Sequence, residues 1–309
     1  MIVIDVVLLT GIVFVLLLYV GYRIIFVHPM NKRPNPREIP ASLLYKKYRD
    51  DMLWVVGDME KSPFEVIEKT SCDGYSLRAR LYGKTKENKP VVLFMHGYHG
   101  TAEWDGYGMY RICKKLGWPI LMPDMRAHGK SEGSISFGIR ERHDVRTWLE
   151  YLEQRFGEET DIILAGVSMG GTSVLLAASD YELPSNVKGI ISDCAFSHPA
   201  GLFSPVFQKI HFPAKLLFRF MKLGARVFGK FDLEEVSANG IVGNIKVPIL
   251  FIHGTEDFIV PVCMCHELYD KCTATKKKVV FEGASHANSA MTDYEKYEEN
   301  VVSFLNVIK

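Results

Sequence analysis

Residues 161–179 read DIILAGVSMGGTSVLLAAS, and this stretch decides the fold. An apolar run, Ile162 to Ala165, leads into Gly166-Val167-Ser168-Met169-Gly170, and small helix-forming residues follow. That order predicts a strand, a sharp turn and a helix, with one serine at the point of the turn. Glycines two residues either side of Ser168 let neighbouring backbone pass close by, and the turn lifts the hydroxyl above the sheet edge. The pentapeptide alone is short enough to arise by chance, so its context has to carry the argument.

A serine hydroxyl is a poor nucleophile until a base takes its proton, and the base needs an acid to hold its tautomer. Downstream, VPILFIHGTEDFIVP (247–261) reads as a strand breaking at Gly254, with Asp257 in the loop beyond. KKKVVFEGASHANS (276–289) reads as another strand, with His286 in its loop. The candidate triad is Ser168, Asp257 and His286, each in a loop after a strand. Asp193, at the end of the apolar run GIISD (189–193), is an alternative acid, and Glu256 belongs to an ordinary turn. Oxyanion donors are expected from the backbone N–H groups of Met169, which opens the helix, and Tyr98, in the loop HGYHG (96–100). His96 and His99 are read as serving loop geometry.

Five blocks in this order resemble the α/β-hydrolase superfamily: HGYHG, PDMRAHGKSEG (123–133), GVSMGG (166–171), HGTEDFIVP (253–261) and GASH (283–286). The resemblance covers roughly residues 60–309 and is nearest to membrane-tethered, esterase-like or serine aminopeptidase-like members. It implies a mainly parallel sheet with helices on both faces, a helical cap insertion, and a structural bracing role for Arg126 to Ser131. His128 in that loop is given no catalytic role. Strands alternating with helices (103–116, 138–155 and 293–307) agree with such a sheet, whose carboxyl ends carry the chemistry.

The chain has 309 residues, and its net charge of +1 with no long basic block argues against nucleic-acid binding. Residues 2–27 are apolar except Asp5 and Arg23, enough to cross a ~30 Å hydrocarbon layer. No Lys or Arg precedes the run and no Ala-x-Ala site follows it, which favours a retained single-pass anchor over a cleaved signal. Arg23, Lys32, Arg33, Arg37, Lys46 and Lys47 all follow it, placing the catalytic domain in the cytoplasm by the positive-inside tendency. The expected division is an anchor over 1–28, a Pro-rich linker and lead-in over 29–58, and a hydrolase domain over 59–309. The six cysteines, Cys72, Cys113, Cys194, Cys263, Cys265 and Cys272, lack paired C-x-x-C spacing. Reduced thiols and no metal are expected.

A cap insertion is placed at about 196–240. The run from Cys194 to Phe231 has no Asp or Glu but holds Lys209, Lys215, Arg219, Lys222, Arg226 and Lys230. Lys215, Arg219, Lys222 and Arg226 recur at helical spacing beside Leu216, Phe220, Leu223 and Val227. One reading is a lid whose apolar stripe covers the pocket while its cations face water. The other is a lid that also rests on anionic headgroups and admits acyl chains. The function expected is a serine hydrolase acting on an ester-type bond of a hydrophobic, lipid-like acyl substrate, with no cofactor. A peptidase and a non-catalytic membrane-bound scaffold are the alternatives. A phosphate-binding loop is excluded, because GVSMGGTS lacks the required lysine.

Overall fold

A computed structural model describes residues 2–29, 33–40, 44–84, 89–202 and 213–308, so Lys32 and Lys209 lie outside the described residues. Among them, eight strands make one sheet: β1 (Phe64–Thr70), β2 (Ser76–Tyr82), β3 (Val91–Met95), β4 (Ile120–Asp124), β5 (Ile162–Val167), β6 (Val187–Asp193), β7 (Ile249–Gly254) and β8 (Lys276–Phe281). Their order is β1-β2-β4-β3-β5-β6-β7-β8. β2 runs antiparallel to β1 and β4, and the pairings from β4 through β8 are parallel. β3, β5 and β7 are buried along their whole length, which is why they read as unbroken apolar runs.

The helices used below are α1 (Ile2–Phe26), α2 (Arg49–Lys61), α3 (Tyr107–Leu116), α4 (Glu141–Phe156), α5 (Met169–Asp180), α6 (Ala214–Gly224), α7 (Val262–Lys271) and α8 (Tyr294–Val307). The two-residue period of β3 splits the core across the sheet. Val91, Leu93 and Met95 join Trp148, Leu175 and Phe251 on one face. Val92 and Phe94 join Tyr110, Tyr297 and Val301 on the other. The helix expected over 103–116 is interrupted at Gly106, where a Cβ would lie 2.2 Å from Met122 Cε.

Two parts of the chain depart from the expected division. Residues 29–58, read as linker and lead-in, include most of α2, whose Met52, Val55, Val56 and Met59 are buried at helical spacing. Nor is residue 28 a boundary in packing. Leu18, Tyr22 and Phe26, one face of α1 at intervals of four, are buried. The Phe26 ring meets Phe137 edge-on at 5.8 Å and Phe231 at 5.5 Å. Its carbonyl accepts from Ile135 N at 2.8 Å. Beyond the helix, Arg33 Nη1 donates to the carbonyls of His128 (3.1 Å), Gly129 (3.0 Å) and Ser131 (2.7 Å). The end of α1 and the segment after it are part of the globular structure.

The cap differs from its expected orientation too. Met221 and Ala225 turn into the core, whereas Leu216, Leu223 and Val227 of the supposed pocket-covering stripe are 57%, 40% and 51% exposed. Lys222 is ion-paired with Asp232 and Glu234, and Arg226 with Asp232. These acids follow the Asp- and Glu-free run and fold back onto it.

Candidate active site

Ser168 sits between β5 and α5 with φ 54° and ψ −117°, a positive φ that few non-glycine residues adopt. Its neighbours force the turn. A Cβ at Gly166 would fall 2.5 Å from the Gly170 carbonyl carbon, and one at Gly170 only 2.1 Å from Met95 O. Neither site tolerates a side chain. The Ser168 N–H donates to Asp193 O at 2.8 Å, tying the turn to the end of β6.

The structure brings Ser168, His286 and Asp257 together. His286 Nε2 is 2.9 Å from Ser168 Oγ, and its Nδ1 is 2.7 Å from Asp257 Oδ2. A carboxylate can only accept there, so Nδ1 carries the proton and Nε2 presents its lone pair to the hydroxyl. Asp257 Oδ1 accepts from Ile259 N (2.9 Å) and Val260 N (2.8 Å). Burial alone would raise the Asp257 pKa, but hydrogen bonds to His253 and His286 and their charge bring it down to about 2. Ser168 and His286 are nearly buried, at 7% and 9% exposure. Glu256 is exposed.

Asp193 is placed otherwise. Its Oδ1 accepts from Ser289 Oγ at 3.1 Å, and no hydrogen bond joins it to His286 among the described residues. Burial, opposed by His253, the Ser289 hydrogen bond and His286, raises its pKa from 3.8 to about 6. The folded chain therefore binds this proton more tightly than the unfolded chain, and stability falls as pH rises from about 4 through about 6. Asp193→Asn keeps the acceptor for Ser289 and removes the buried charge. It is expected to stabilise the fold by about 1–2 kcal/mol near pH 7.5 and by little near pH 4, read from urea midpoints at the two pH values.

Around the expected oxyanion loop, Gly97 N donates to Asp105 Oδ2 at 2.6 Å and His99 N to His128 Nε2 at 2.9 Å. The Tyr98 N–H between them meets no acceptor among the described residues. Met169 is the first residue of α5, where backbone N–H groups lack an intrahelical partner. A Cβ at Gly97 would stand 3.2 Å from Ser168 Cβ, so the loop passes directly beside the serine. Two histidines hold it in the same manner. His96 Nδ1 donates to Gly97 O (2.8 Å) and its Nε2 accepts from Met125 N (3.0 Å). His128 Nδ1 donates to Arg126 O (2.9 Å) and its Nε2 takes the His99 N–H. Burial, then His96, pushes the His128 pKa well down, as a neutral ring requires. Arg126 is fully buried between Asp144 (2.7 Å) and Asp73 (3.0 Å). The Tyr98 phenol donates to Ile25 O in the last turn of α1 at 3.1 Å.

Sequence reasoning missed two residues here. Asp105 holds Gly97 from eight positions along the chain, and no local pattern marks it. His253, at the end of β7, places Nε2 2.8 Å from Val260 O and 3.3 Å from Asp257 Oδ2, backing the acid from behind. Its signal was the His-Gly that breaks the strand before Asp257.

Cys194, Asp257 and His286 also bring potential metal-ligand atoms within 4.8 Å of one another. Burial, reinforced by Asp193 and Asp257, raises the Cys194 pKa well above the usual thiol range, whereas a metal ligand needs the thiolate. The other two atoms already bond each other. The donor set suits the serine relay better than an ion. A cavity of about 810 Å³ lies apart from this chemistry, lined by Phe64, Tyr82, Tyr110, Trp118 and Phe156 near the start of β4. The six cysteines form no disulfide.

A family model for the α/β-hydrolase fold matches residues 90–222. The chain is 27% identical over 251 residues to the uncharacterized protein YqkD of Bacillus subtilis, covering 79% of this chain and 81% of the relative. It is 28% identical over 219 residues to the lysophosphatidylserine lipase ABHD12 of Danio rerio, covering 64% of this chain and 51% of that protein, so it spans about half the relative's length. Among solved structures, the Pyrococcus furiosus esterase Pf2001 superposes with a TM-score of 0.67 at 21% identity, over 82% of this chain and 94% of the esterase. Sheet order, the sharp turn at Ser168 and the family match agree: the chain has the α/β-hydrolase fold.

Proposed function

We propose that this protein is a membrane-anchored serine hydrolase that cleaves ester bonds of hydrophobic, lipid-like acyl substrates. The observation that carries the reading is the continuous bond from Ser168 Oγ through His286 to Asp257, at the carboxyl end of the sheet. His286 Nε2 removes the hydroxyl proton as Ser168 Oγ bonds to the ester carbonyl carbon. Asp257 holds the His286 tautomer and stabilises its cationic form. The Met169 and Tyr98 N–H groups receive the oxyanion. His286 then returns the proton to the departing alcohol, leaving an acyl-enzyme. Water, deprotonated by the same nitrogen, releases the acid and restores Ser168. Every group is supplied by the chain, and no cofactor is called for.

Two observations support a lipid-like substrate. One relative is named a lysophosphatidylserine lipase. The helix Ile4–Phe26 is long and apolar enough to cross a membrane. Arg23, Arg33, Arg37, Lys46 and Lys47 on its carboxyl side favour a cytoplasmic catalytic domain.

The test is hydrolysis of nitrophenyl esters of graded chain length beside aminoacyl nitroanilides, with the full chain in detergent. Esters are expected to turn over, faster with medium or long chains than with acetate, and a fluorophosphonate probe is expected to label Ser168. Preference for anilides would move the assignment to a peptidase. Absence of both turnover and label would leave the scaffold reading.

A further inference from the structure

The cap helix α6 lies along the half of α1 nearest the catalytic domain. Phe220 meets Phe14 edge-on at 6.1 Å, and a Cβ at Gly21 would touch the Phe220 ring at 3.0 Å. Gly224 faces Leu18 O and the Tyr22 side chain, each at 3.5 Å from where its Cβ would stand. In the π-helical turn that continues α6 (Ala225–Gly229), Phe228 packs on Tyr19 at 5.2 Å and on Tyr22 at 5.8 Å. Two glycines thus admit one aromatic ring and one close helix approach.

The length of α1 turns this packing into a statement about depth. The apolar stretch Ile4–Phe26 has 23 residues. At ~1.5 Å per residue it is about 34 Å long, against a hydrocarbon layer of ~30 Å. A spanning α1 has only about one turn to spare, and tilt would leave less. Phe14 then sits near the middle of the bilayer, ten residues from Ile4. Whatever touches α1 between Phe14 and Tyr22 is carried into the leaflet with it, and what touches it there is α6.

The outer surface of α6 suits that position. Leu216, Leu223 and Val227 are exposed, as is most of the apolar surface of α1. In water they would enlarge an apolar patch, and among acyl chains they are in their own medium. The adjoining row is Lys215, Arg219, Lys222 and Arg226. Lys222 and Arg226 are neutralised by Asp232 and Glu234, which lowers the cost of holding them near hydrocarbon.

We propose that α6 is a membrane-embedded helix. Together with α1 it forms a two-helix wedge in the leaflet on the domain's side, with Leu216, Leu223 and Val227 against acyl chains. The proposal rests on α1 spanning the bilayer, and the experiment separates the two. The full chain is reconstituted in phosphatidylcholine–phosphatidylglycerol vesicles, with and without lipids brominated along the acyl chain. Single variants Leu216→Trp, Leu223→Trp, Phe14→Trp and Phe64→Trp are each compared with the unsubstituted protein. Brominated lipid is expected to remove about half or more of the added emission at positions 216, 223 and 14, and to leave position 64, on β1, unchanged. Quenching at 14 without quenching at 216 or 223 overturns the embedded cap and keeps the span. Quenching at none of the positions overturns both.

Discussion

Ser168→Ala is expected to lower kcat for ester hydrolysis about 10⁴- to 10⁶-fold while changing KM little. The substitution removes the atom that forms the acyl-enzyme and leaves the substrate-holding surfaces in place. His286→Ala should cost about as much, and the double variant no more than either alone, because the pair acts as one unit. Asp257→Asn should lose about 10⁴-fold, since an amide facing Nδ1 favours the wrong tautomer. Asp193→Asn, one strand away, should retain nearly full turnover. The measurement is kcat and KM for all five variants on one ester, with urea midpoints to show that each is folded. Comparable losses in the Asp193 and Asp257 variants would sink the assignment of the acid. A Ser168→Ala protein with undiminished turnover would sink the mechanism.

The second large effect is on stability. Phe26 is completely buried, with its ring against Phe137 and Phe231 and its carbonyl on Ile135 N. Phe26→Ala is expected to cost about 3–5 kcal/mol, the usual range for an aromatic removed from a packed core. In a chain of this size that is a fall of roughly 5–15 °C in Tm. Removing residues 1–28 altogether should be worse. It uncovers the Phe137 and Phe231 rings, orphans the Ile135 N–H and takes away the acceptor of the Tyr98 phenol in the loop beside Ser168. The truncated protein is expected to aggregate, or to melt lower and turn over more slowly. Deleting residues 2–12 removes none of these contacts and is the control. Thermal melting in one detergent for all three proteins decides the matter, and equal Tm values would show that α1 is only a tether.

These outcomes bear on how far a reader of the bare sequence could have gone. Ser168 was legible because two glycines that cannot carry a Cβ leave a spaced signature around it. Asp257 and His286 were legible because each follows an apolar strand by a few residues. Asp193, which ends a buried strand, stayed as the alternative acid, and the fold sets Asp257, three residues beyond its strand, against His286 Nδ1. Asp105 and His253 were invisible for a related reason. They act on backbone or on another acid, through distances that sequence spacing does not encode. The orientation of the cap failed on a different ground. Helical spacing reports that Leu216, Phe220, Leu223 and Val227 share a side, yet hydropathy is blind to whether that side meets protein or lipid. The same blindness hid the inward stripe Leu18, Tyr22 and Phe26 within an apolar helix. For α2, six charged residues among thirteen diluted a pattern that burial later made plain.

With α1 in a bilayer, as proposed, the bond from the Tyr98 phenol to Ile25 O keeps the domain from hanging on a swivel. Arg33, fastened to three carbonyls just past the helix, removes the remaining freedom of the joint. With α1 upright in a bilayer, the domain keeps one bearing toward the surface, and the orientational entropy of docking is surrendered once, during folding, and not at each encounter. For lipid-like substrates, the class proposed above, such a mounting turns the search into a two-dimensional one, governed by crowding within the sheet of lipids and by lateral diffusion.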